Sequence, residues 1–240
     1  MSRYERVRFF LRTLAIQGSW NFPQMQGLGF FFAIVPWLRK VSGEGFQSAC
    51  RRHLAYFNTH PFFAPYILGA VAKLEEEGKG QEAAAVRRSL MGPLGAVGDG
   101  LYWGKVRPAS ILLAMAVSLI WPWAAAPVFL LVFNLIQIPA RWRYLAEGYR
   151  SAADPHGGVA RVNSRTISRL SEKLIPAGCG FIAGAVAFGT DKPGISLGLF
   201  FIAFLLFRRR ARTLSVLVCL LAVALCLGWL GVRVRLPWSW

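Results

Sequence analysis

Acidic residues are scarce in this chain: 11 Asp and Glu stand among 240 residues, against 28 Lys and Arg. The only aspartates are Asp99, Asp154 and Asp191. An intramembrane aspartyl protease needs two carboxylates that share a proton. Asp154 and Asp191 fall in loops, and the tetrad Ala96-Val97-Gly98-Asp99 lacks the first glycine of the GxGD signature, so that chemistry is excluded. Histidine occurs only as His53, His60 and His156, and no His/Cys/Asp/Glu spacing suggests a metal. No nucleophile–base constellation appears, and Gly98-Asp99-Gly100 is not followed by the Lys-Ser/Thr of a phosphate loop, so no cofactor is expected. The four cysteines have no CxxC spacing. Cys219 and Cys226 share a helix face about 10 Å apart, too far for a disulfide. The basic first twelve residues have no apolar run before them, which argues against a cleavable signal peptide. Repeats and low-complexity segments are also missing.

Charge as a whole is low, at 16% of residues, where soluble domains carry roughly 25%. Hydrophobic residues make up 55% and mean hydropathy is +0.43. The class is therefore an integral membrane protein. The net charge of +17 does not indicate nucleic-acid binding, because the basic residues gather where apolar runs end. That is the pattern of cytoplasmic loops and of attraction to anionic lipid headgroups.

The apolar segments are irregular. Residues 4 to 18 place Val7, Phe10, Leu11, Leu14 and Gly18 on one face, an amphipathic helix for the membrane surface, for packing on its own protein, or for both. Residues 28 to 38 are too short to span, with Pro36 and then Arg39-Lys40 expected to end the run. Residues 54 to 72 are long enough, but Asn58, Thr59, His60, Pro61 and Pro65 break their first half. Residues 90 to 108, LMGPLGAVGDGLYWGKVRP, hold five glycines, two prolines and one carboxylate. Such backbone survives at membrane depth only when protein or a water-filled cavity surrounds it, and it points to a transporter's substrate site. A re-entrant turn centred on Asp99 is expected. Residues 108 to 140 carry no charge and read as a helical hairpin turning at Trp121-Pro122-Trp123, or as one long tilted span. A polar connector, 141 to 173, carries six arginines and Lys173 and reads as cytoplasmic. Three apolar runs follow, at 174 to 190, 193 to 207 and 213 to 232, which leave the C-terminus outside.

Four blocks now carry a family resemblance: QGSWNFPQMQGLGF at 17 to 30, RHLAYFNTHPFFAPYILGAVAKLEEE at 52 to 77, LMGPLGAVGDGLYWGKVRP at 90 to 108, and RWRYLAEGYR at 141 to 150. In this order they resemble the IID subunit of the mannose/fructose/sorbose-type sugar phosphotransferase system. The resemblance covers most of residues 15 to 150; beyond 151 the match is loose. It implies an all-α integral membrane protein with broken or re-entrant helical hairpins plus C-terminal transmembrane helices. Residues 1–150 would form the family-matching core, with its amphipathic N-terminus and re-entrant segments. Residues 151–240 would form the basic connector and the C-terminal transmembrane helices. It also implies a multi-pass inner-membrane transport subunit that pairs with a IIC subunit and moves a hexose by elevator-like motion of its core. Soluble IIA and IIB subunits carry phosphoryl groups on histidines and pass phosphate to the sugar, so this subunit itself carries none and is not an enzyme. An oligomeric assembly is expected.

The chain departs from the family pattern at defined places. WNYERMQ is here Trp20-Asn21-Phe22-Pro23-Gln24-Met25-Gln26, the Gln after FNT is His60, GPLAG is Gly92-Pro93-Leu94-Gly95-Ala96, and Lys105 replaces a Thr. These departures bear on substrate identity and transport competence, not on the broken-segment architecture. A sugar needs amide and carboxylate partners for its hydroxyls and an aromatic face for its C–H side. Trp20, Asn21, Gln26, Asn58, His60, Glu75 and Asp99 are the candidates for substrate binding or gating. Each has a plainer role open to it. Asp99 would cap N–H groups of the turn, Asn58 would bond backbone freed by Pro61, and Glu75 would end a solvated acidic helix. The rival to a transport subunit is a non-transporting membrane interaction protein that keeps the IID fold.

Overall fold

The computed structural model describes residues 1–162 and 165–188. The chain divides into two compact units, the first made of residues 1–107 and 132–169, the second of 108–131 and the residues from 170 on. The boundary expected at 150 falls within the first unit, at the end of a helix. The described residues are helical, with two isolated β-bridges and no named strand.

Helix α1 (Arg3–Leu14) starts at a capping box. Ser2 accepts a hydrogen bond from the Glu5 N–H at 3.2 Å, and the Glu5 carboxylate accepts from the Ser2 N–H at 2.6 Å. The face that packs on the protein is Phe9, Phe10 and Thr13, whereas Val7, Leu11 and Leu14 are exposed. Of the expected face, only Phe10 points inward. Val7, Leu11 and Leu14 are on the outer surface of the helix, and Gly18 lies beyond its end.

Helix α2 (Gly27–Val41) continues through Pro36 and ends just past Arg39 and Lys40, the second of the two expected stops. A proline inside a helix removes the hydrogen bond to the carbonyl four residues back. Here that carbonyl is Phe32, and the Arg12 Nε–H donates to it at 2.8 Å. The orphaned acceptor is thus served from α1, and the helix need not stop. Gly29 lets α2 meet the turn that follows α1, since any Cβ there would strike the Ile16 backbone.

The short helix α3 (Phe46–His53) leads to an irregular stretch, and α4 (Ala64–Glu76) follows. Residues 54 to 63 are non-helical, so the break expected in this segment is present. Ala64 to Ala72 are all buried, as are Leu74 and Glu75, which makes α4 the centre of the first unit. A helix apolar on every side belongs inside a protein. The Trp37 Nε1–H donates to the Ala72 carbonyl at 2.8 Å and ties α2 to α4.

The glycine-rich segment differs from expectation. It forms α5 (Gly80–Gly98), a π-helix over Asp99–Val106, and α6 (Arg107–Ser118), without an open turn. The Arg107 N–H donates to the Tyr102 carbonyl, five residues back. Gly98, Gly100 and Gly104 leave the wide turn uncrowded, so the irregularity is absorbed inside a continuous helix. Such π segments are frequent at functional sites.

The charge-free run does break where expected. Trp121 is extended, Pro122 opens a 3-10 turn, and α7 (Ala125–Arg150) begins. Among the described residues, Pro122–Arg150 is the one helical stretch long and apolar enough to cross a membrane. Leu130, Leu131, Leu135 and Ile138 on α7 are exposed. Its last turns were read as a connector, but Arg141, Tyr144, Leu145 and Gly148 are buried. Arg141 donates to the Thr13 carbonyl at 2.7 Å, at the C-terminal end of α1. The negative end of that helix dipole compensates the buried charge. The chain goes on through α8 (Pro155–Val162) and α9 (Arg165–Phe188). In the second unit Gly178 of α9 faces Leu112 of α6. The runs expected at 193 to 207 and 213 to 232, and the C-terminus, lie outside the described residues.

Candidate functional site

A cleft of about 470 Å³ opens in the first unit, between the irregular stretch before α4, the hairpin before α2, and the end of α5 with the π-helix. Trp20, Gln26, Asn58, His60, Asp99 and Trp103 line it. Each wall follows from a local feature of the sequence. The hairpin from Asn21 to Met25 closes on mutual backbone hydrogen bonds of 2.7 and 3.2 Å, with Met25 at φ 51. Its exit is bound to the segment before α4 by Gln26 N–H to Phe57 O, at 2.8 Å. That pairing brings Trp20 and Asn58 to one opening. The π-helix supplies Asp99 and Trp103. Gly98 lets α5 approach the turn, because a Cβ there would enter the His60 ring.

The floor is aromatic and holds unsatisfied polar atoms. His60 stacks on Tyr102, with ring centroids 5.2 Å apart and planes 15° from parallel, and it touches Phe62 and Trp103. The His60 Nδ1 accepts from the Phe62 N–H at 3.2 Å, and the His60 carbonyl accepts from Phe63 and Ala64. His60, not Asn58, therefore satisfies the break around Pro61. The His60 Nε2 and the Thr59 Oγ1 are buried with no hydrogen-bond partner among the described residues, and both residues line the cleft. Buried polar atoms are normally paired by protein, water or ligand.

The candidate residues separate into two groups. Trp20, Asn58, His60 and Asp99 all line the cleft, His60 with its Nδ1 bonded to the Phe62 N–H and its Nε2 left over. The Asp99 carboxylate is exposed and makes no hydrogen bond or ion pair with any described residue, so it caps nothing. Gln26 also lines the cleft, but its amide is engaged by the Thr59 backbone, donating at 2.8 Å and accepting at 3.4 Å. Asn21 is outside it: the Asn21 Oδ1 accepts from the Gln24 N–H at 2.9 Å, and its amide donates to Ser19 O. That asparagine holds the hairpin. Trp103, Gln17, Thr59 and Met91 also line the cleft, and no pattern in the sequence singles them out.

Glu75 lies elsewhere, and it is buried and not solvated. Arg52 donates two hydrogen bonds of 2.9 Å to its carboxylate, and His53 Nε2 lies 2.7 Å away. These groups sit at the polar end of α4, outside the apolar segments. Burial pushes the Glu75 carboxyl up, but the hydrogen bonds from His53 and Arg52 outweigh it and hold the group below its usual range. Burial holds His53 below its usual 6.5, against the pull of Glu75. Both groups then bind fewer protons folded than unfolded, so stability falls as pH falls. Loss is expected to begin below the ordinary histidine value of 6.5 and to steepen below the carboxyl value of 4.5. Melting temperatures measured from pH 7.5 to 4 would show both steps. Glu75→Gln should lower stability at pH 7 and flatten the acid step; an unchanged profile contradicts this.

As chemistry, the cleft offers a free carboxylate, an amide, an imidazole nitrogen and two indole rings around a polar volume. That set matches a polyhydroxylated ring: carboxylate and amide for hydroxyls, indole for the C–H face. A family model described as "PTS system mannose/fructose/sorbose family IID component" matches residues 1–186. The mannose-specific EIID component of Escherichia coli K12 is 40% identical over 154 residues, 60% of this chain and 54% of its own length. The fructose permease IID component of Bacillus subtilis is 32% identical over 157 residues, 62% of this chain and 57% of its own length. The chain spans about half the length of the curated relatives it matches. A subunit in the cryo-EM structure of the mannose transporter ManYZ with microcin E492 superposes with a TM-score of 0.60 at 27% identity, covering 96% of this chain and 97% of that one.

Proposed function

The chain belongs to the mannose/fructose/sorbose family of phosphotransferase IID components, and from that membership we propose that it forms, with a IIC subunit, the sugar pathway of a mannose-type permease. The cleft bounded by Trp20, Asn58, His60, Asp99 and Trp103 carries this reading, because it gathers sugar-binding chemistry beside a π-helix in a membrane protein. A hexose is the substrate class. The subunit binds and passes the sugar; phosphoryl groups travel on soluble IIA and IIB partners, and this chain holds none. It resides in the inner membrane as a multi-pass protein, with the arginine-rich 141 to 173 region on the cytoplasmic side. His60, standing where the family usually has Gln, favours one other reading: an interaction protein that keeps the fold without passing sugar.

The exposed apolar surface of α6 and α7 supports dependence on a partner. Ile111, Leu113, Met115, Leu130, Leu131 and Leu135 all face outward. Made alone, the chain is expected to be degraded in cells and easily cleaved by protease in membranes, and co-expression with a IIC subunit should restore both yield and resistance. A monodisperse preparation of the chain alone with equal resistance would contradict obligate pairing.

A further inference from the structure

A second built feature, the groove between α1 and α2, shares no lining residue with the cleft. It encloses about 290 Å³ and is lined by Arg8, Arg12, Trp37, Lys40, Tyr4 and Pro36, among others. The two helices run in opposite directions. Lys40 pairs with Glu5 near the start of α1, and Arg12 bonds Phe32 near its end.

The charges in this groove are unevenly spent. Glu5 is the one acid lining it, and it is already engaged by Lys40 and by the Ser2 N–H. Those bonds, that from Lys40 above all, hold the Glu5 carboxyl down to about 2. Lys40 is thereby neutralised. Arg12 has its Nε committed to the Phe32 carbonyl and its guanidinium 3.7 Å above the Phe32 ring, which fixes its position. Its remaining N–H groups make no bond to the described residues. Arg8 makes no hydrogen bond or ion pair with any described residue either. Burial, and the Arg8 charge beside it, depress the Arg12 guanidinium from its usual value. Two cations thus lie close together in a groove whose only acid is occupied.

The surroundings of this pair grade from polar to apolar. Tyr4, Arg8 and Leu11 follow at i, i+4 and i+7 and so share one face of α1. Toward the Lys40 end the groove is polar. Toward the Phe32 end Leu11, Leu14, Leu28 and Phe32 are exposed. A small soluble anion needs only the cations. A ligand that is anionic at one point and apolar beyond it uses the whole surface, and in a membrane protein the ligand of that chemistry is an anionic phospholipid.

We propose that the α1–α2 groove seats the headgroup phosphate of an anionic phospholipid between Arg8 and Arg12, with its acyl chains along Leu11, Leu14 and Phe32. Pro36 is part of this device. By freeing the Phe32 carbonyl it anchors Arg12, so the cation is preorganised instead of floating. The site is separate from the sugar cleft, and its failure would leave that reading untouched.

Native mass spectrometry of the full chain assembled with its IIC subunit in neutral detergent, titrated with phosphatidylglycerol and phosphatidylcholine, tests it. The wild type should retain phosphatidylglycerol preferentially. Arg8→Gln, which removes no hydrogen bond or ion pair to the described residues, should cut that preference about fivefold, the worth of one cation near a lipid surface, with melting unchanged. Arg3→Gln, on the same helix outside the groove, should leave it intact. Leu11→Gln should weaken retention of both lipids, and millimolar inorganic phosphate should not displace them. Equal loss in Arg3→Gln would reduce the effect to diffuse surface charge. Full preference in Arg8→Gln, or displacement by inorganic phosphate, would overturn the proposal.

Discussion

Asp99→Asn is expected to assemble with its partner as the wild type does and to lose at least about tenfold in sugar uptake. The carboxylate bonds to no described residue, so no fold contact disappears with it. An ionisable group in a membrane protein is costly and usually functional. Asparagine keeps the shape and one acceptor but loses the charge. A hydrogen bond from a sugar hydroxyl to a charged group contributes about 1.5–3 kcal/mol, or roughly 10- to 150-fold. Asp99→Ala should behave like Asp99→Asn in assembly and be at least as poor in uptake. Had the residue capped a turn, alanine would have damaged assembly and asparagine rescued it. Uptake per assembled complex separates the cases, and wild-type uptake by Asp99→Asn would end the role given to this carboxylate.

The second large effect lies at the crossing of α4 and α7. A Cβ on Gly148 would strike the Tyr66 carbonyl, and one on Gly69 would strike the Leu145 carbonyl and the Tyr149 N at 2.7 Å. The glycines face opposite backbones, so neither helix can yield without leaving the other. Ordinary overpacking costs roughly 1–3 kcal/mol when side chains can move. Here the obstacle is backbone at the middle of the core, and the cost should exceed that range. Gly148→Ala and Gly69→Ala should each abolish the protease-resistant membrane subunit. Gly180→Ala, where nothing lies within 4 Å, should leave it intact. Normal yield of Gly148→Ala would mean that the crossing is looser than described.

The broken segments were legible because Pro and polar residues inside apolar runs have few other meanings. The form of each break was not. Pro36 reads as the start of an ending that Arg39 and Lys40 complete, and only the Arg12 hydrogen bond to Phe32, twenty residues away in sequence, shows why α2 continues past the proline. The glycines from Gly92 to Gly104 read as an open turn, but glycine equally permits the wider π-helix that formed. Arginine was misjudged most. Its excess over acid points to headgroups and cytoplasmic loops, yet Arg12, Arg87 and Arg141 serve backbone carbonyls of Phe32, His53 and Thr13. No periodicity encodes a cation whose partner is a carbonyl far away in sequence. Among the site residues, Trp20, Asn58, His60 and Asp99 were legible because each is an odd choice in its segment. Asn21 was equally odd but serves the hairpin, and only its bond to Gln24 reveals that.

The most direct measurement is uptake of radiolabelled hexoses by cells lacking their own mannose-type permease and supplied with this chain, a IIC subunit, and IIA and IIB. Intracellular sugar phosphate should accumulate for at least one hexose, stop when either membrane subunit is omitted, and fall with Asp99→Asn and Trp103→Ala in proportion to lost sugar binding. An assembled complex that accumulates no sugar phosphate, and binds no hexose in the purified state, would contradict the account.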